Sequence, residues 1–341
     1  MKYNFFGTTG LVVSELCLGA MTFGGEGIWK NIGGLEQDAA DALVKAAIDA
    51  GINFIDTANV YSFGKSEALL GNAFNNLGIS RSNVVLATKV RGRMGEGHNN
   101  TGLSRYHIFH SVNESLQRLQ TDHIDILYVH GVDPATPVES IMRSLNDIVN
   151  TGKVRYIAVC NWPAWMVMQA QGIAAMNGWH KFEGLQYFYS LAGRDIEREV
   201  LPMAIDQKLA VMPWSPLAGG FLSGKYTRSL EASGGRRDNF DFPPINKNKA
   251  FDIIDVLADV AKPHNATVAE VALAWVRHQH GITSTIIGAK SLQQLHDNIR
   301  STEITLSKED LDKLNKISAL PAEYPGWMVE RQGGDRILNQ Q

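Results

Sequence analysis

Short apolar runs alternate with amphipathic helical stretches along almost the whole chain, about forty residues apart, and this alternation constrains the fold more than any other feature. The runs are Leu16–Gly19, Phe54-Ile55, Val84–Thr88, Ile124–Val129, Val154–Val159, Leu185–Tyr187, Leu209–Pro213 and Thr283–Ile287. Between them, apolar residues recur at helical spacing, as in Ala40, Leu43, Val44, Ala47 and Ile48, or Ile108, Val112, Leu116 and Leu119. Helix starts carry their own marks. Ser104 can cap, Thr136-Pro137-Val138-Glu139 and Thr267-Val268-Ala269-Glu270 read as capping boxes, and Ser291 precedes Gln294 at the last start. A helix between two strands returns the chain to the end where it began, so the strands run parallel. Eight such units in 341 residues fit an α/β fold of the closed (β/α)8 TIM-barrel type. The reading is a single domain over 1–341, with an N-terminal β-hairpin at 2–15, a long loop at 219–247 after the seventh strand, an extra helix at 307–320 and a tail from Pro321. The rival, an open doubly wound sheet, is disfavoured because no Gly-x-Gly-x-x-Gly follows any run.

The runs end in polar or functional residues: Asp56, Lys89, His130, Asn161, Gln186, Trp214-Ser215 and Gly288-Ala289-Lys290. In a closed barrel those ends converge on one face, where catalytic groups sit. Tyr61 follows Asp56 by one short loop and is the natural proton donor to a carbonyl. A free phenol has a pKa of ~10, too weak an acid near neutrality, and a cation beside it lowers that by ~1–3 units. Lys89 can supply the cation, Asp56 can hold Lys89 in place, and His130 can bind the carbonyl oxygen from the other side. The set stabilises negative charge growing on an oxygen and contains no obvious nucleophile or metal site. Such charge grows when a hydride reaches a carbonyl carbon, and the hydride must come from a cofactor.

Composition narrows the class. The net charge of −3, with no long run of one sign, gives no reason to expect a nucleic-acid or membrane-surface protein. Cys17 and Cys160 sit apart inside apolar runs, which suits a reducing compartment and offers no disulfide framework. Met1–Gly7 lacks the apolar core of a signal peptide, and no stretch approaches the ~20 apolar residues of a membrane helix. A cytoplasmic protein is expected.

At this point the chain resembles the aldo-keto reductase superfamily, from hairpin to last helix. The matching pieces are Phe54-Ile55-Asp56-Thr57-Ala58 with Tyr61, Ala87-Thr88-Lys89, His130-Gly131-Val132-Asp133, Gly152–Ile157, Trp214-Ser215-Pro216-Leu217 and Gly219-Gly220-Phe221-Leu222-Ser223-Gly224-Lys225. It is also similar to the subgroup containing the β subunits of voltage-gated potassium channels and their bacterial relatives, though those often carry Asn where His130 stands. The resemblance implies reversible NADPH-dependent reduction of an aldehyde or ketone, with Asp56, Tyr61, Lys89 and His130 as the catalytic tetrad. It implies NADP(H) held by Ala20, Met21, Asp56, Cys160, Asn161, Gln186, Trp214, Ser215, Pro216, Leu217, Gly219, Lys225, Gly288, Lys290, Gln294 and Asn298. Within that set Asn161 and Gln186 would bind the carboxamide and Trp214 would stack on the nicotinamide. Ser215, Pro216, Leu217 and Lys225 would follow the pyrophosphate, and Gly288, Lys290, Gln294 and Asn298 the adenosine end. Cys160 stands where many relatives have serine. The implied partner is a small-molecule carbonyl substrate, with homo-oligomerisation left open.

Blander readings stand beside these. Asp56 could be a surface cap, His130 a core histidine near Asp133, and Trp214 a packing residue. Lys89 could form a Schiff base in a barrel lyase, although Tyr61 and Trp214 then go unexplained. A cofactor-sensing interaction subunit with little turnover is the alternative from another class. Gly219–Tyr226 nearly spells a P-loop, but Tyr226 replaces the Ser or Thr that binds magnesium. Trp29, Trp162, Tyr189 and Trp327 are candidates for an aromatic substrate wall.

Overall fold

The computed structural model describes residues 1–228, 237 and 240–333. In chain order the elements are a hairpin, β1 (Tyr3–Phe5) and β2 (Val12–Ser14), then β3 (Leu16–Gly19), α1 (Gln37–Asp49), β4 (Phe54–Asp56), α2 (Lys65–Asn76), β5 (Val85–Val90), α3 (Arg105–Leu119), β6 (Ile124–Val129) and α4 (Val138–Asn150). They continue with β7 (Val154–Cys160), α5 (Ala164–Asn177), β8 (Phe182–Phe188), α6 (Val200–Asp206), β9 (Ala210–Trp214), α7 (Lys247–Ala261), α8 (Val268–His278), β10 (Thr285–Ile287), α9 (Leu292–Arg300), α10 (Lys308–Ser318) and α11 (Gly326–Gly333). The last eight strands make one parallel sheet in the order β10-β3-β4-β5-β6-β7-β8-β9. Between β9 and β10 the seam is drawn together by Thr283, whose N–H donates to the Val211 carbonyl at 2.9 Å and whose Oγ1 accepts from Val211 N–H at 3.1 Å. The result is the nearly closed (β/α)8 barrel that the alternation predicts.

Side-chain alternation along each strand divides the core into an inside and an outside. Cys17, Phe54, Val85, Ala87, Ile126, Tyr128, Ala158, Cys160, Ala210 and Met212 fill the barrel. Their neighbours Leu86, Leu127, Ile157 and Val211 face the helices. The same alternation sets Asp56, Lys89, Cys160, Gln186 and Trp214 on the inner face at the carboxyl ends.

At the opposite end the hairpin seals the barrel. Phe6, fully buried, joins the interior cluster and packs edge-on against Phe54 at 6.4 Å. Gly184 on β8 is inward-facing, and a Cβ there would lie 2.5 Å from the Phe6 ring. Gly184→Val therefore overpacks a filled core and costs about 1–3 kcal/mol of stability, readable as a drop in Tm.

Most helix starts behave as their sequences indicate. Ser104 and Ser291 accept from the backbone, and Thr267 with Glu270 forms a complete capping box. Thr136 does not: its hydroxyl donates to Asp133 Oδ2 at 2.7 Å, and α4 begins after Pro137 with no side-chain cap. Asp133, which also takes the Leu103 and Ala135 N–H groups, outcompetes the helix for that hydroxyl. Of the expected loop at 219–247, Ala218–Ser223 winds into 3-10 turns, while residues 229–236 and 238–239 lie outside the described residues. The tail forms α11, and 334–341 also lie outside them. Among the described residues no helix is long and apolar enough to cross a membrane.

Candidate active site

β4 ends in Asp56 and β5 in Lys89-Val90, and because the two strands pair in register, with Asp56 opposite Ala87, the two charged side chains meet inside the barrel mouth. Lys89 is 1% exposed and Asp56 3%. The Lys89 ammonium forms an ion pair with Asp56 Oδ1, donates to the Thr57 carbonyl at 2.8 Å, and lies 3.2 Å from Tyr61 Oη. Gln186, from the far side of the barrel, donates through Nε2 to Asp56 Oδ2 at 2.9 Å. Its amide thus braces the carboxylate.

The His130 ring stands edge-on to the Tyr61 ring at 5.7 Å, and Trp29 flanks Tyr61 edge-on at 5.2 Å. Tyr61, Lys89, Asp56 and His130 are therefore one cluster. Among the described residues no hydrogen bond joins His130 to Asp133, which instead accepts from Leu103, Ala135 and Thr136 in the loops before α3 and α4.

Electrostatics in this cluster follow from burial. Burial disfavours the Lys89 charge, but the Asp56 carboxylate outweighs it and holds the amine protonated, above the ordinary lysine range. Burial, with the Lys89 and Arg91 charges adding to it, pushes His130 well below the ordinary imidazole range, so the ring is neutral. Tyr61 departs from the sequence expectation. Burial raises its pKa, and the downward pull of Lys89, opposed by Asp56, does not overcome it. The Lys89 charge is already shared with Asp56, so the buried phenol is a weaker acid than an ordinary tyrosine in the resting chain rather than a stronger one.

The second group of expected residues lines the rim at β7, β9 and β10. Asn161 takes a left-handed backbone (φ 59°), and its Oδ1 accepts from Trp214 Nε1 at 3.1 Å. Ser215 is also left-handed (φ 53°), and its Oγ accepts from Gly219 N–H at 2.8 Å, which closes the turn holding Pro216 and Leu217. Non-glycine residues in that region mark a backbone held by its surroundings, a common property of ligand sites. Lys225 is exposed beyond that turn. At β10, Gln294 accepts the Lys290 N–H at 2.7 Å and Asn298 donates to the Gly288 carbonyl at 3.1 Å, so both side chains shape the loop before α9. Thr22 ties the loop carrying Ala20 and Met21 to this one by donating to the Ala289 carbonyl at 2.9 Å. Cys160 is fully buried at the end of β7, inside the barrel.

The aromatic wall is different from the sequence expectation. Of its candidates, Trp29 packs on Tyr61, whereas Trp162 and Tyr189 are buried in the outer core and Trp327 lies on α11 against Tyr324. Aromatic residues in loops look alike in sequence whether they fill a core or face a cleft. Two residues not singled out there, Phe242 and Phe188, lie on Trp214. Phe242 stacks almost parallel to the indole (9°, 5.7 Å) and Phe188 is tilted at 5.2 Å. Glu67 was also missed, although an acid one and two turns before Leu70 and Phe74 on the buried face of α2 is a readable signal.

A parallel barrel whose strand ends gather an acid, a lysine, a tyrosine and a neutral histidine beside a rim of turns is an oxidoreductase scaffold of a particular kind. The chain belongs to the aldo/keto reductase family, whose model matches residues 15–319. The uncharacterized oxidoreductase YrpG of Bacillus subtilis (strain 168) is 40% identical over 328 residues, covering 93% of this chain and 96% of its own. Versiconal hemiacetal acetate reductase of Aspergillus parasiticus is 35% identical over 351 residues, covering 96% and 99%. An aryl-alcohol dehydrogenase of Pestalotiopsis microspora is 35% identical over 312 residues, covering 89% and 78%.

Proposed function

We propose that the protein reduces an aldehyde or ketone reversibly to an alcohol using NADPH, with Tyr61 as proton donor. The observation that carries this reading is the 3.2 Å approach of Lys89 Nζ to Tyr61 Oη, with Lys89 locked to Asp56. The rim fits a nicotinamide dinucleotide chemically. With Asn161 Oδ1 engaged by Trp214 and Gln186 Nε2 by Asp56, an amide donor and an amide acceptor remain for a carboxamide. Phe242 stacked on Trp214 supports this reading, because the indole face suits a flat ring such as a nicotinamide. A bound NADPH would supply the hydride. Tyr61 gives its proton to the carbonyl oxygen, the Lys89 ammonium stabilises the tyrosinate left behind, and neutral His130 orients the oxygen. Asp56 keeps Lys89 charged and in place. Lys290, at the start of a capped helix, supports NADPH over NADH because it offers a cation to a 2′-phosphate. The Trp29 and Tyr61 rings favour an aromatic carbonyl, in keeping with the name of the Pestalotiopsis relative.

The test is to mix the protein with NADPH and a panel of aromatic and aliphatic aldehydes and follow nicotinamide absorbance. Oxidation is expected, fastest with aromatic members. Tight NADPH binding without turnover would return the interaction-subunit reading, and neither binding nor oxidation would end the proposal.

A further inference from the structure

The turn that presents Tyr61 is unusual. Ser62 (φ 48°), Phe63 (φ 52°) and Gly64 (φ 94°) are successive left-handed residues, two of them with side chains. Such a run persists only where its surroundings over-determine it. On its near side Asn59 N–H donates to the Lys89 carbonyl at 3.3 Å, and Ser66 Oγ lies 2.9 Å from Thr57 Oγ1 and donates to the Ala20 carbonyl at 2.7 Å.

On its far side stands Glu67, which has no exposed surface. Its Oε1 accepts from Thr88 Oγ1 at 2.6 Å and its Oε2 accepts from Arg118 Nε at 2.7 Å. Thr88 is the residue before Lys89, on the outer face of β5. Arg118 comes from α3 and lies directly over Gly64, where a Cβ would stand 2.7 Å from its Cδ. One carboxylate thus ties the strand that carries Lys89 to an arginine that presses on the turn that carries Tyr61.

We propose that Glu67, acting through Thr88 and Arg118, is a positioning residue that sets the separation between the Tyr61 hydroxyl and the Lys89 amine. This rests on the reading of Tyr61 as proton donor. A plain ion pair between α2 and α3 would need only the Arg118 arm; the Thr88 arm reaches away from α3 to the strand beneath the site. Two charge-assisted bonds from one buried carboxylate fix both elements at once.

Three variants test it: Glu67→Ala, Glu67→Gln and Thr88→Val. Thr88→Val keeps the Glu67–Arg118 pair and the shape of the strand, and so remains informative if Glu67→Ala does not fold. Glu67→Ala lowers kcat by roughly 100-fold, the scale of a misplacement near 1 Å, while KM changes little. Thr88→Val lowers kcat along with a modest drop in Tm from the lost buried hydrogen bond, its fold remaining intact, and Glu67→Gln recovers part of the Glu67→Ala loss. A second readout needs no turnover. The difference in alkaline ultraviolet titration between each chain and its Tyr61→Phe counterpart reports the Tyr61 phenol. The groups acting on that phenol are Lys89, Asp56 and Cys160, with the neutral His130 ring at its edge. As Lys89 recedes, the midpoint moves to higher pH. If Thr88→Val keeps both the kcat and the midpoint of the unaltered protein, or Glu67→Ala lowers Tm alone, the proposal is overturned. If no carbonyl is reduced by any chain, the functional reading fails, and the titration still decides the positioning role.

Discussion

On the proposed mechanism Tyr61→Phe is expected to abolish turnover, by about 10²–10⁴-fold in kcat for reduction, and to leave NADPH binding unchanged. The substitution removes one oxygen, the atom 3.2 Å from Lys89 Nζ, and leaves the ring in its edge contacts with Trp29 and His130. Folding is accordingly preserved, and the loss falls on kcat. Steady-state kinetics with NADPH fluorescence titration checks both halves. Surviving activity means that another group delivers the proton. The pH profile of the unaltered enzyme adds a constraint. Tyr61 is raised and so stays protonated across the neutral range, while His130 is lowered and stays neutral there. Reduction should therefore be nearly flat from pH ~7 to ~9 and fall only as the phenol ionises on the alkaline side. A decline centred on an ordinary imidazole value would contradict the neutral role of His130.

Lys89→Met has the second large effect, on stability as well as turnover. It strands the Asp56 carboxylate in the barrel with Gln186 as its remaining donor. Removing one member of a buried pair costs about 3–5 kcal/mol, because the other charge is left uncompensated. Without Lys89 the burial that pushes the Asp56 carboxyl up is unopposed by a cation. A carboxyl whose folded pKa is raised favours the folded state when protonated, so the stability gap between variant and unaltered protein narrows as pH falls. The Lys89 contribution runs the other way. Its folded pKa lies above the unfolded value, so its stabilisation is full below the ordinary lysine range and is lost as pH rises through the folded pKa. Denaturant melts across pH check both signs, and Asp56→Asn with Lys89→Met should restore much of the loss. A gap independent of pH would show that Asp56 is not the group left stranded.

The barrel and its strand-end cluster were legible because both depend on periodicity. Alternation by two along β4 and β5 is enough to aim Asp56 and Lys89 inward, and the helix between them is enough to make the strands parallel. What was not legible depended on competition in space. The Gln186 bond to Asp56 spans 130 positions, and no local pattern announces it. Thr136 was free to cap α4 until Asp133 claimed its hydroxyl. The direction of the Tyr61 shift was misjudged because the sequence identifies the cation but not the depth of burial or the carboxylate that shares its charge. Phe242 reached Trp214 from a segment with little periodicity, where position follows from contacts alone.

The hairpin beneath the barrel plugs one of its two ends. With Phe6 wedged under Gly184 and Arg277 paired to Glu15 nearby, that floor is stitched shut among the described residues, and the charged cluster lies toward the opposite rim. A fusion or tag at Met1 hangs from that plugged end and should leave the rim undisturbed.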